Sequence, residues 1–298
     1  MTTRLWNTND IPNQIRRVAV VTGASSGLGL EVTRALAHKG ATVVMAVRDV
    51  AKGEQAADTI FAEKSDAKIR VAKIDLCSLD SIKKFYQQFL NHHDRLDLLI
   101  NNAGVMMTPY STTEDGFEVQ MGTNHFGHFA LTGHLLDRLK STPGSRVVQV
   151  SSIAHRAGNL NFDDIHWKSR RYNTIRAYAD SKLANLHFTY EFARRLGDQT
   201  APRIIAAHPG VSRTELTRHV KIIEFMGKFV AQSQERGALP ILRAGIDPAA
   251  NNGDYYGPSG FLEMSGSPIR VKSSKWSKNE DPGGRLWAIS EKLTGVKY

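Results

Sequence analysis

The chain has 298 residues, 41% of them hydrophobic and 23% charged, which fits a globular protein with a sizeable core and excludes a disordered or fibrous one. Its formal charge of +10 comes from 39 Lys and Arg against 29 Asp and Glu. The densest basic groups, Lys168, Arg170, Arg171 and Arg270, Lys272, Lys275, Lys278, form neither an aromatic-interleaved stripe nor one basic amphipathic helix, so they read as solvated surface and speak against nucleic acid as a partner.

The first fifteen residues lack the apolar run of a signal peptide, and no stretch holds eighteen uninterrupted apolar residues. Cytoplasmic residence without an integral membrane segment is therefore expected. Short β-branched runs then alternate with segments of helical period, the pattern of βαβ units around a parallel sheet covered on both faces. Strands are expected at Val18–Val21, Thr42–Val47, Ile69–Ile74, Leu96–Ile100, Arg146–Val150 and Arg203–Ala207, with a short seventh near Asp254–Tyr256. Helices fit at Gly29–His38, Ala51–Glu63, Leu79–Asn91, Gly116–Leu139 and Ile175–Leu196. This gives an α/β fold, a doubly wound Rossmann-type sheet of about seven strands in one domain over 1–298, with a loop-rich C-terminal section at 251–298. Right-handed crossovers gather the carboxyl ends of the strands at one edge, where every motif below falls. The single cysteine, Cys77, excludes an internal disulfide and reads as a small buried side chain.

Between the first strand and helix lies a turn with Gly23, Ser25, Ser26, Gly27, Leu28 and Gly29. Glycines there permit the turn and close approach to a pyrophosphate, which the helix N-terminus would face with free N–H groups. The spacing is G-x-x-x-G-x-G, and a purely structural turn is its rival; the flanking strand and helix favour a dinucleotide. At the end of the second strand, Ala46 and Val47 precede Arg48, a cation suited to a 2′-phosphate, with Ser25 and Ser26 adding hydroxyls. Asp49 is the counter-argument, since it could pair with Arg48 or bind a ribose. NADP(H) is expected over NAD(H).

Tyr178 and Lys182 stand four apart on a helix and so share a face. A nearby ammonium stabilises phenolate and brings the hydroxyl into range for general acid–base work, although alone such a pair is more often surface decoration. Ser152 follows a strand at the same edge, where its hydroxyl could hold a substrate oxygen or cap a turn. Asn124 sits within an apolar helical stretch and needs a hydrogen bond there, structural or functional. No His, Cys or carboxylate group has metal-ligand spacing, so no metal is expected.

Together these residues, with Asn101-Asn102-Ala103-Gly104 and Pro209-Gly210, resemble the short-chain dehydrogenases/reductases over positions 16–215. The resemblance implies a tetrad in which Tyr178 transfers the proton, Ser152 fixes the carbonyl, Lys182 holds the nicotinamide ribose and Asn124 supports a water relay. It further implies that Asp75 and Leu76 lie against adenine, that Asn102, Ala103 and Gly104 line the cleft, and that Pro209, Gly210, Val211 and Thr214 approach the nicotinamide. The text NNAGVM, TNHFGHFALTGHLL and YADSKLANLHFTYEFARRL is similar to the branch with retinol dehydrogenases, WW-domain oxidoreductase and protochlorophyllide reductase. Ser152 and Tyr178 are 26 positions apart, longer than in common members, so an insertion loops out between them. Ser212 departs from the apolar residue usual there.

By the same analogy, about 212–233 is a substrate lid, and Met106, Met107 and His155 are pocket-wall candidates, ordinary amphipathic packing being the rival. The expected partner is a hydrophobic carbonyl or alcohol, and family members often pair as homodimers or homotetramers. Two other functions fit the fold: a dinucleotide-sensing regulator without catalysis, which has no need of the tetrad, and an isomerase or dehydratase turning over without net cofactor change.

Overall fold

A computed structural model of the chain describes residues 5–197, 202–211 and 232–298. Eight strands form one sheet: β1 (Val18–Thr22), β2 (Thr42–Val47), β3 (Lys68–Lys73), β4 (Leu98–Asn101), β5 (Arg146–Val150), β6 (Arg203–Ala207), β7 (Tyr255–Pro258) and β8 (Pro268–Arg270). Their order is β3-β2-β1-β4-β5-β6-β7-β8, parallel throughout except the β7–β8 pair. The order reverses between β1 and β4, the switch point at which doubly wound sheets open a crevice. Seven strands were expected; the eighth is a three-residue edge strand opening on Pro268, opposite Pro258, and proline is confined to such edges because it cannot donate to a ladder.

Among the described residues the helices are α1 (Gly27–His38), α2 (Val50–Glu63), α3 (Leu79–Leu90), α4 (Val119–Met121), α5 (Gly127–His134), α6 (Leu136–Lys140), α7 (Thr174–Leu196), α8 (Gln234–Ile246) and α9 (Glu280–Thr294). The single helix expected at Gly116–Leu139 is divided. Gly116 takes φ +80° in a turn, Gly122–Phe126 widens into a π-helical segment in which Gly127 N–H reaches back to Gly122 O, and the chain breaks again at Leu135. Close packing explains the small residue at the exit, since a Cβ on Gly127 would fall 2.6 Å from Leu76 O. Neither α8 nor α9 was anticipated: Pro240 and two glycines interrupt the first, and Pro282-Gly283-Gly284 opens the second. A proline in a first turn gives up a donor that has no intrahelical partner anyway, so Pro282 is tolerated.

Period-two alternation divides the core. Ala19, Val21, Val43 and Met45 face α1, α2 and α8, packing on Leu36, Ile60 and Ile241. Val18, Val20 and Val44 face the opposite layer, where Phe85, Phe129, Phe188 and Trp287 come from α3, α5, α7 and α9. Among the described residues no helix is long and apolar enough to cross a membrane.

Candidate active site

At the carboxyl edge above the switch point lies a cleft of about 480 Å³. The sequence-expected residues Gly23, Ser25, Ser26, Gly27, Leu28, Arg48, Asp75, Leu76, Asn102, Ala103, Gly104, Tyr178, Lys182 and Pro209 all line it. Gly29 stands behind them as packing: a Cβ there would lie 2.3 Å from Gly23 O, so only glycine lets the helix close on the turn. α1 is preceded by Ser26, whose hydroxyl makes no capping hydrogen bond, which leaves the first N–H groups of the helix facing the cleft.

The neighbourhood of Arg48 is asymmetric. Arg48 is exposed, and its guanidinium has no hydrogen bond or ion pair among the described residues. Asp49 instead accepts from Lys52 N at 3.1 Å as the N-cap of α2. The carboxylate that could have competed for Arg48 is thus occupied by its own helix. Cys77 corrects an expectation, being half-buried on the cleft wall rather than in the core; its thiol lies 3.0 Å from Thr123 Oγ1, and burial raises its pKa against that hydrogen bond.

Around the phenol, α7, the end of β5 and the 3-10 turn that follows it converge. Tyr178 and Lys182 come from α7, which Asn173 caps by accepting from Arg176 N. Burial pushes the Tyr178 hydroxyl up to about 12, with hydrogen bonding to Ser152 acting in the opposite direction. Lys182 donates to Val150 O at 3.2 Å and lies 5.8 Å from the centre of the Tyr178 ring, and burial lowers its pKa to about 8. Lys182 and an oxidised nicotinamide are expected together to favour phenolate; burial of the phenol opposes them. Ser152 caps the 3-10 turn Ile153–Ala157 through Ala154 N, while Ser151 lines the cleft and donates to Lys182 O at 2.8 Å.

Asn124 is fully buried behind the cleft floor. Its Oδ1 accepts from Val105 N at 2.8 Å, and its Nδ2 donates to Val105 O and to Ser181 Oγ, which in turn donates to Tyr178 O. A Cβ on Gly104 would stand 2.9 Å from Asn124 Oδ1 and 3.5 Å from Lys182 Nζ, so glycine at 104 keeps open the space the two share.

Several supporting residues were not singled out by sequence. Thr22 Oγ1 accepts from Asn102 N and Ala103 N, both at 2.9 Å, and lies 2.9 Å from His128 Nε2. His128 Nδ1 faces Asn124 O at 3.0 Å, where it must donate, so Nε2 is the acceptor for Thr22. Burial lowers His128 to about 4, keeping it neutral. A threonine ending a buried strand was the only available signal.

Other candidates part from the cleft. Met106 lines it, but Met107 takes φ +51° and donates through its backbone to Gln120 Oε1. His155 is buried away from the wall, with Nδ1 on Ser152 O at 2.7 Å and Nε2 accepting from Ser274 N. Gly210 and Val211 flank the cleft without lining it, and Val211 N donates to Met264 O. Thr214, Ser212 and 212–231 of the expected lid lie outside the described residues; Gln232 Nε2 donates to Pro209 O, and Ser233 caps α8. Two of the basic residues read as surface are structural: Arg170 stacks on Trp167 at 3.5 Å, and Arg270 pairs with Asp254. Among the described residues no group of His, Cys, Asp or Glu could hold a metal.

The family model for short chain dehydrogenases matches residues 17–222. Human retinol dehydrogenase 13 is 40% identical over 292 residues, covering 94% of this chain and 85% of that protein. Human retinol dehydrogenase 12 is 41% identical over 289 residues, covering 95% and 87%. Among solved structures, an uncharacterised protein from Mycobacterium paratuberculosis superposes with TM-score 0.84 at 41% identity over 99% of both chains. An Escherichia coli short-chain dehydrogenase complexed with NADPH gives TM-score 0.66 at 25% identity over 82% of this chain and 96% of that one. The fold, the cleft at its switch point and these matches together make the chain a member of the short-chain dehydrogenases, NAD(P)-dependent oxidoreductases of CH–OH groups.

Proposed function

We propose that the chain is an NADP(H)-dependent dehydrogenase or reductase for a hydrophobic alcohol or carbonyl of retinoid-like size, with Tyr178 as its proton donor and acceptor. The observation that carries the reading is the meeting of Tyr178 and Lys182 in the cleft wall, with Ser152 behind the lining in hydrogen-bond reach of the phenol and Asn124 packed behind them. Arg48, unpaired among the described residues and lining the cleft, supports the phosphorylated cofactor, as does the NADPH bound to the Escherichia coli relative. Substrate class draws on Val105 and Met106 in the wall and on the retinol dehydrogenases among the relatives.

Residues of the cleft fit a dinucleotide, with Gly23 to Leu28 and Arg48 available to phosphates and Asp75 and Leu76 to adenine. When bound, the nicotinamide supplies or takes the hydride, and in its oxidised form its positive charge favours loss of the phenolic proton. Ser152 would hold the substrate oxygen, and the protonated Tyr178 hydroxyl would deliver its proton to that oxygen during reduction. Lys182 would keep a positive charge beside the ribose and phenol, and Asn124 would fix the floor on which they rest.

The test is NADPH oxidation with a panel of hydrophobic aldehydes and ketones, set against NADH and a charged sugar series. Turnover with apolar carbonyls and NADPH is expected. A clear preference for phosphorylated sugars, or full activity in Tyr178→Phe, would reject the reading.

A further inference from the structure

Glu263 is distant in sequence from the residues above, yet it bonds to two segments that lead into the site, one ending at Pro209 and one beginning at Ser152. Its Oε2 lies 3.0 Å from His208 Nε2, and its Oε1 accepts from Arg156 Nη2 at 2.7 Å. His208 immediately precedes Pro209, which lines the cleft with Tyr178 and Lys182. Arg156 belongs to the 3-10 turn that Ser152 caps.

His208 is fully buried, and Gly210 N donates to its Nδ1 at 3.3 Å. An accepting Nδ1 puts a ring proton on Nε2, which donates to the Glu263 carboxylate. Burial raises the Glu263 carboxyl, but His208 and Arg156 outweigh it and hold the group below its usual range. The molecule makes room for this arrangement. A Cβ on Gly257 of β7 would fall 2.0 Å from His208 Nε2, and one on Gly210, which has φ +67°, would fall 2.4 Å from Met264 O. Leu262 and Glu263 take left-handed φ of 50° and 58°, a backbone that side-chain-bearing residues adopt only when their surroundings compel it.

We propose that Glu263 is a positioning residue for hydride transfer: through His208 it sets the Gly210 amide and the Pro209–Val211 turn, and through Arg156 it holds the Ser152 segment. The β7–β8 loop thereby fixes the spacing between the cofactor side and the substrate side of the cleft. This inference rests on the proposed roles of Tyr178 and Ser152.

The two arms differ in their kinetic signatures, which a merely structural role would not produce. In the full chain, with NADPH and a hydrophobic ketone, Arg156→Ala should lower kcat about tenfold with little change in the KM for NADPH. His208→Gln, which can still reach Glu263 but offers Gly210 no acceptor, should raise the KM for NADPH about tenfold with a smaller effect on kcat. His208→Asn, whose Oδ1 can accept from Gly210, should lie nearer wild type in that KM. Glu263→Ala should show both defects, and Glu263→Gln, which keeps an acceptor for His208, only the kcat defect.

Variants that melt earlier yet keep wild-type kcat and KM when folded would overturn the proposal, as would identical defects in Arg156→Ala and His208→Gln. Because the Arg156 side chain is partly exposed and the variant should fold, its kcat decides the first arm even if Glu263→Ala cannot be purified. Tyr178→Phe run alongside separates the two readings. Residual full activity there removes the proposed mechanism, whereas the NADPH affinity of His208→Gln tests the loop independently.

Discussion

Tyr178 illustrates how burial and function pull against each other in one side chain. With its hydroxyl held near 12, the phenol is protonated across the neutral range, ready to donate during carbonyl reduction and reluctant to accept during alcohol oxidation. Reduction should therefore vary little between about pH 6 and 7, where Lys182 also keeps its charge, while oxidation climbs with pH through that range, which initial rates in both directions will check. Tyr178→Phe should cut kcat/KM by about 10²- to 10⁴-fold while leaving NADPH binding, read by fluorescence titration, intact. Lys182 makes a different point: its ammonium is buried at a cost, since its pKa falls from 10.5 to about 8. Over that window the unfolded chain binds more protons than the native one, so stability associated with this group rises with pH. Lys182→Met should lose most activity yet unfold no more easily at pH 7, and any gain in stability should shrink as pH rises beyond 8; denaturant melts at two pH values read this out. Arg48→Ala should raise the KM for NADPH about 10- to 100-fold, the equivalent of about 1.5 to 3 kcal/mol of charge-assisted hydrogen bonding, and leave that for NADH unchanged.

At the scale of elements, the interrupted α4–α5 run and the unanticipated α9 are the informative features. The π-helical segment inserts one residue into a turn, which brings Asn124 against Val105 and Ser181 while His128 Nδ1 donates to Asn124 O. Helical periodicity over 116–139 is real, but it carries no sign of one extra residue per turn, because hydrogen bonding to neighbouring elements selects the wider turn. α9 is held by Trp287, which packs on Phe129, Phe188 and Phe192 with Tyr298 beside it. Trp287→Ala should destabilise the protein by about 3 to 5 kcal/mol in urea unfolding, since the aromatic neighbours cannot collapse into so large a void.

Across the whole molecule, α9 and the C-terminal Tyr298 supply from the same chain the cover for the outer faces of α5 and α7. Removing residues 280–298 should expose Phe129, Phe188 and Phe192 together and cause self-association, seen as a shift to larger species on sedimentation, because a contiguous aromatic patch in water seeks another surface. The basic excess has no single focus: Arg17, Arg95, Arg156, Arg194, Arg195 and Arg243 are paired with carboxylates on the surface or at its margin. This leaves Arg48 as a cation positioned at the cleft without such a partner among the described residues.

Local sequence determined the alternating architecture, because side-chain period and glycine placement are properties of neighbours along the chain: β2, β5 and β6 fall within the expected bounds, and the first turn lines the cleft as its glycines imply. It also marked Tyr178, Lys182, Ser152 and Asn124. What only the tertiary structure decided depends on residues remote in sequence: the contact of His128 with Thr22 across the sheet edge, the bonds from Asn124 to Val105 and Ser181, and the bond from Glu263 to His208. Each is set by where a donor finds its acceptor and how much water is excluded around them, and neither quantity is written in the order of the amino acids alone.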